Sequence, residues 1–176
     1  MMVKHRVFGI TGWKNNGKTT MTVNLVRELT KRGYKLATVK HAHHEFDIDK
    51  EGTDSWRHRK AGAGEVAIVS SRRWAIIHEM GVSEDELPLD AILSKLSPCD
   101  LVLVEGYKSE SHAKLEVRRK EGKAGEDLSA IDPNIVAIAS DVPPSASNLP
   151  IFGIDDIAKI ADFIEHYMGL KELKND

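Results

Sequence analysis

The chain has 176 residues, enough for one continuous hydrophobic core and too few for two full domains. Hydrophobic residues make up 41% and charged ones 30%, a globular balance, and the formal net charge of -2 excludes a general polyanion-binding face, so nucleic acid is not an expected partner. The one cysteine, Cys99, excludes an internal disulfide and a cysteine metal cluster and fits a reducing compartment. With no signal-type or membrane-spanning apolar stretch, the expectation is a cytoplasmic protein that does not enter a membrane.

The apolar run Val7-Phe8-Gly9-Ile10 predicts a first strand, and directly behind it stands Gly12-Trp13-Lys14-Asn15-Asn16-Gly17-Lys18-Thr19-Thr20, a complete G-x-x-x-x-G-K-T phosphate loop. Glycines in such a loop let successive backbone N–H groups point into one hollow that fits a pyrophosphate. A helix follows, with Thr22, Leu25, Val26 and Leu29 on one face and Gly33 as its stop. The order strand, glycine loop, helix is what nucleotide binding requires. The helix N-terminus places partial positive charge at the phosphates, Lys18 reaches the β/γ oxygens, and the Thr19 hydroxyl ligates Mg²⁺.

Leu36-Ala37-Thr38-Val39 predicts a second strand, leading into the polar segment from Lys40 to Thr53. Within it His41, His43, His44, Asp47 and Asp49 allow three readings. One is a transition-metal site on the histidines. A calcium loop begins well with Asp47, Asp49 and Gly52 but fails at His58, where the bidentate Glu belongs. The preferred reading is a switch-like loop whose Asp47 or Asp49 approaches Mg²⁺, directly or through water.

A short helix over Ser55 to Ala61, capped by Thr53 or Asp54, precedes two β-rich runs, Glu65 to Ser70 and Arg73 to His78, joined as a hairpin at Ser70-Ser71-Arg72-Arg73. Another short helix is expected over Pro88 to Leu96. Leu101-Val102-Leu103-Val104 is purely aliphatic, as a strand covered on both faces should be, and ends at Glu105. A carboxylate there suits Mg²⁺, a hard cation that takes oxygen ligands.

Residues 108–133 are the most polar stretch and read as an extended insertion rather than core. Inside it, Lys114-Leu115-Glu116-Val117-Arg118 alternates as a strand with one exposed polar face would, at a dimer edge or as a solvated hairpin. Ile135 to Ala139 and Ile151 to Ile154 repeat the aliphatic strand type, and Asp155 to Met168 closes the chain as an amphipathic helix behind an Asp cap. Alternating strands and helices predict a parallel α/β sheet with right-handed crossovers. Asp141, at the end of the Ile135 strand, is placed either to accept two hydrogen bonds from the N1–H and exocyclic amine of guanine or to form a polar turn before Pro143-Pro144.

These stretches together resemble the molybdopterin-guanine dinucleotide biosynthesis protein B family, a group of GTP-binding adapters. The likeness rests on Gly12 to Thr20, Lys40-His41-x-His43-His44-x-Phe46-Asp47-x-Asp49-x-x-Gly52-x-Asp54-Ser55, Ala61-Gly62-Ala63, Leu101 to Lys108, and Ala139-Ser140-Asp141-Val142-Pro143. It implies one domain over 1–176, an α/β three-layer P-loop NTPase fold with a mostly parallel sheet and a polar β-hairpin insertion. It also implies GTP with Mg²⁺, slow hydrolysis, a homodimer, and association with the nucleotidyltransferase that joins GMP to molybdopterin; molybdopterin itself is a candidate ligand. Asp141 becomes the expected guanine reader. Lys14 departs from the related phosphate-loop proteins that dimerise around nucleotide, because Trp13 intervenes between it and Gly12.

The resulting expectation is an accessory GTP-binding protein. Gly12, Trp13, Lys14, Asn15, Asn16, Gly17, Lys18, Thr19, Thr20 and Asp141 hold nucleotide, Thr19, Glu105, Asp47 and Asp49 hold the metal, and Lys18, Glu105 and Asp47 support hydrolysis. The alternatives are a carrier that only delivers nucleotide or pterin, and a small-molecule kinase using Arg57, Arg59, Arg72 and Arg73 in a lid.

Overall fold

A computed structural model describes residues 5–42, 46–81, 84–123, 125–142 and 147–170, in two compact units. The first comprises residues up to His41 and from Leu89 onward; the second is Ala42–Pro88.

In the first unit, strands β1 (Val7–Thr11), β2 (Leu36–Lys40), β5 (Leu101–Glu105), β6 (Lys114–Arg118), β7 (Ile135–Ser140) and β8 (Ile151–Gly153) form one sheet in the order β2-β5-β1-β6-β7-β8. Every pairing in it is parallel. Helices α1 (Lys18–Lys31) and α5 (Ile157–Tyr167) contribute Met21, Leu25, Leu29, Ile160, Ala161 and Ile164 to a core with Phe8, Ile10, Leu101 and Leu103. Helix α3 (Leu89–Leu93) packs Leu89 and Leu93 with Val39, Val102 and Val104 in a second cluster. β5 thus sends alternate residues into two apolar layers, which is why its sequence is aliphatic without a polar period. Arg32 at the C-cap of α1 joins the two long helices through Asp162 at 2.6 Å and Glu165 at 3.2 Å. Asp156 precedes α5 without a side-chain capping bond; its carboxylate pairs with Lys159 at 3.0 Å instead.

β6 departs from its expected exposure. It lies inside the sheet between β1 and β7, and Lys114 and Glu116 are buried rather than solvated. The alternation is real: Leu115 and Val117 enter the α1/α5 core, while Lys114, Glu116 and Arg118 leave from the other side of the strand. That polar side is covered by the chain that follows, including α4 (Leu128–Ile131). Lys114 Nζ pairs with Asp132 at 2.8 Å and donates to the Glu110 carbonyl. Glu116 accepts from the backbone N–H groups of Leu128 and Ser129 and from Arg118, which also pairs with Asp127 at 2.9 Å. A charged strand is tolerated inside a sheet because each charge meets a counter-charge or a backbone group.

The second unit holds α2 (Asp54–Lys60), capped by Thr53, whose hydroxyl accepts from Trp56 N–H at 3.4 Å, and an antiparallel hairpin of β3 (Glu65–Val69) and β4 (Trp74–His78). Ser70 makes the turn, accepting through its hydroxyl from the N–H groups of Arg72 and Arg73. Ala67, Val69, Trp74 and Ile76 share one face of the ribbon, and Val69 and Trp74 are 77% and 70% exposed.

Candidate functional site

β1 delivers the chain to Gly12 at its C-terminal end, where φ is +147° and an added Cβ would stand 2.5 Å from the Val117 carbonyl. Only glycine fits that close approach to β6. Asn15 (φ 65°) and Gly17 (φ 85°) take left-handed conformations that curl the loop, and Gly17 caps α1 by accepting from Met21 N–H at 2.9 Å. The loop therefore ends on the positive end of a 14-residue helix.

Lys18 folds back over this loop, its Nζ donating to the carbonyls of Gly12 at 3.0 Å and Trp13 at 2.9 Å. Burial chiefly lowers its pKa, with Lys108 and Lys40 acting in the same sense and Glu105 opposing them. Thr19 Oγ1 donates to Glu105 Oε1 at 2.7 Å, and Lys40 Nζ lies 3.6 Å from the same carboxylate oxygen. Glu105 is 7% exposed. A cleft of about 390 Å³ is lined by Asn15, Gly17, Lys18, Thr19, Thr20, Glu105 and Arg119. A hydroxyl and a carboxylate converging beside the N-terminus of α1 are the oxygen donors a hard divalent cation takes, so the residues present fit Mg²⁺.

A second cavity of about 380 Å³ flanks the loop, with Trp13, Asn16, Arg119, Lys120, Ser140 and Val142 among its walls. Asp141 stands between Ser140 and Val142 without lining the cavity itself, and its Oδ1 accepts from Lys120 N–H at 2.8 Å. Of the histidines, His41 donates its backbone N–H to the Glu105 carbonyl at 2.9 Å and its ring lies 4.8 Å from Tyr107; His43 and His44 lie outside the described residues. Among the described residues no group of three His, Cys, Asp or Glu side chains forms a metal cluster. Asp47 and Asp49 belong to the second unit, where Arg59 pairs with both, at 2.8 and 3.5 Å, and Ser55 and Thr53 donate to Asp49.

Sequence reasoning missed residues 119–123 and 125–126 as a wall of the site. Asn16, 4% exposed, accepts from Arg119 N–H at 2.6 Å and donates to the Lys123 carbonyl at 3.1 Å, while the Lys14 carbonyl accepts from Lys123 N–H. Trp13 Nε1 donates to the Glu126 carbonyl at 2.9 Å, and Lys108 Nζ sits 4.2 Å from the Trp13 ring centre. The available signal was Gly122 and Gly125: a Cβ at either would stand 2.4–2.6 Å from the Asn16 amide or the Trp13 indole.

A parallel sheet carrying this loop at the carboxyl end of β1 defines a P-loop NTPase-fold protein. The model of the family "Molybdopterin guanine dinucleotide synthesis protein B" matches residues 7–141, and the chain belongs to that family. The molybdopterin-guanine dinucleotide biosynthesis adapter protein of Escherichia coli K12 is 38% identical over 165 residues, covering 92% of this chain and 93% of that protein. The protein of the same description from Haemophilus influenzae is 37% identical, covering 92% and 89%. Among solved structures, a MobB protein homolog from Bacillus stearothermophilus superposes with a TM-score of 0.68 at 26% identity, covering 92% of this chain and 97% of that one. Among the described residues no helix is long and apolar enough to cross a membrane.

Proposed function

We propose that this chain is a GTP-binding adapter in molybdopterin guanine dinucleotide biosynthesis, hydrolysing GTP slowly and assisting the nucleotidyltransferase that joins GMP to molybdopterin. Family membership and the names of its relatives support the pathway. The observation that carries the nucleotide reading is the convergence of Thr19 and Glu105 above a loop whose lysine is held on loop carbonyls. On binding, Lys18 exchanges the Gly12 and Trp13 carbonyls for phosphate oxygens. Thr19 and Glu105 would hold Mg²⁺. When bound, the metal would neutralise charge on the phosphate oxygens.

Slow turnover follows from the cleft's composition. Among the described residues lining it Glu105 is the one carboxylate, and it is engaged by Thr19, so no free base stands ready to activate water. Guanine selection falls to Asp141, beside the second cavity. The exposed Val69/Trp74 face of the hairpin supports the expected homodimer, and the single cysteine accords with a cytoplasmic setting.

Asp141→Asn tests the base assignment. It should weaken GTP binding and gain xanthosine triphosphate binding; unchanged GTP affinity would sink it. Single-turnover hydrolysis with and without the transferase tests the adapter role, and a partner that leaves both rate and affinity unchanged speaks against it.

A further inference from the structure

Arg119 follows β6 on the same side as Leu115 and Val117, the side that meets α1, while Arg118 turns to the Glu116/Asp127 network. Its side chain lies against Gly17: a Cβ there would be 2.9 Å from Nε and 3.6 Å from Cζ. It lines both the phosphate cleft and the flanking cavity. Its Nε–H is buried without a hydrogen-bond partner, and among the described residues no carboxylate pairs with the guanidinium. A buried donor left without an acceptor is costly, and a planar cation of this kind matches phosphate oxygens. The backbone beneath it is fixed, because Arg119 N–H donates to Asn16 at 2.6 Å and its carbonyl accepts from Gly122 N–H at 3.0 Å.

We propose that Arg119 is a phosphate-binding residue of the nucleotide site, supplied by the same chain, and that Asn16 of the phosphate loop positions it. The proposal rests on the nucleotide reading above and adds a residue to it. Arg119 contributes a further cation beside Lys18, approaching the phosphates over Gly17 from the β6 side. Asn16 makes the coupling direct, since the residue that shapes the loop also holds the arginine's backbone.

Titration of the full chain with GTP and with inorganic tripolyphosphate, each with Mg²⁺, tests this. Arg119→Gln should weaken both ligands about tenfold to a hundredfold and flatten the salt dependence of binding, while Arg119→Lys, which keeps charge but loses the fork, falls between. Asn16→Ala should reproduce part of the loss for both ligands. If Arg119→Gln weakens GTP but leaves tripolyphosphate unchanged, the residue touches base or ribose and the proposal is overturned; unchanged affinity for both overturns it as well. Should the unaltered protein bind neither ligand, the nucleotide reading itself fails first. Thermal melting of the variants separates lost contact from lost fold, and Arg119→Lys provides the reading if Arg119→Gln does not fold.

Discussion

The Thr19 hydroxyl and the Glu105 carboxylate meet at 2.7 Å, across 86 residues of sequence. The contact joins the first turn of α1 to the last residue of β5, the two elements that a phosphate loop and a metal carboxylate must occupy together. Glu105→Gln keeps the shape and removes the charge. It should weaken Mg²⁺-dependent GTP binding about tenfold or more, because hydrogen bonds and ligation at a charged oxygen are worth about 1.5–3 kcal/mol. Titrations in Mg²⁺ and in excess chelator check this: the unaltered protein should lose affinity on chelation and the variant should change little.

Gly12 sets the entry to the loop. Gly12→Ala meets both an unfavourable φ of +147° and the Val117 carbonyl, which is backbone and cannot swing away. A loss of about 2–4 kcal/mol is expected from the two effects together. Urea unfolding without nucleotide measures it, and an alanine variant of full stability would show that β6 lies farther from the loop.

Much of this arrangement is legible in the sequence, and the reasons differ by element. The phosphate loop, the aliphatic strand ending at Glu105 and the hairpin around Ser70 carry local signals: glycines where φ must be positive, aliphatic runs where both faces are covered, a turn residue with a short polar side chain. β6 is the exception, because its polar residues Lys114 and Glu116 are buried rather than exposed. Nothing local in Lys114-Leu115-Glu116-Val117-Arg118 reveals that Asp132, Asp127 and the backbone of α4 come round to pair with it. The wall around Arg119 and Lys123 is hidden for the same reason, since Asn16 finds these partners more than 100 residues away.

The buried ion pair of β6 makes a stability test. Lys114 is wholly buried and the Asp132 side chain is 20% exposed, so Asp132→Asn leaves an ammonium without its counter-charge. We expect a loss of about 2–4 kcal/mol, somewhat below that for a fully buried pair. Replacing both, Lys114→Met with Asp132→Leu, should recover most of it. Chemical denaturation of the single and double variants gives the coupling directly, and additive losses would contradict the pairing.

His112 gives a pH dependence of definite sign. Burial first, and Lys114 second, push its pKa down to about 4 against the pull of Asp132. Its Nε2 is buried without a hydrogen-bond partner and packs on Gly9, where a Cβ would stand 2.5 Å away. In the unfolded chain the imidazole titrates near its ordinary value of about 6.5. Between about 6.5 and 4 the unfolded state therefore takes a proton that the folded state refuses, and stability falls as pH falls through that window. Above it the effect is absent. Unfolding midpoints at several pH values should drop less steeply in His112→Gln than in the unaltered protein, and equal slopes would remove His112 from the account.

Calorimetric titration of the full chain with GTP and with ATP, both in Mg²⁺, is the decisive test of a guanine-nucleotide site at the phosphate loop. GTP should bind saturably at one site per chain, at least tenfold tighter than ATP, and Lys18→Ala should abolish that binding. Equal affinity for the two nucleotides would contradict the guanine assignment, and no binding of either would contradict the site.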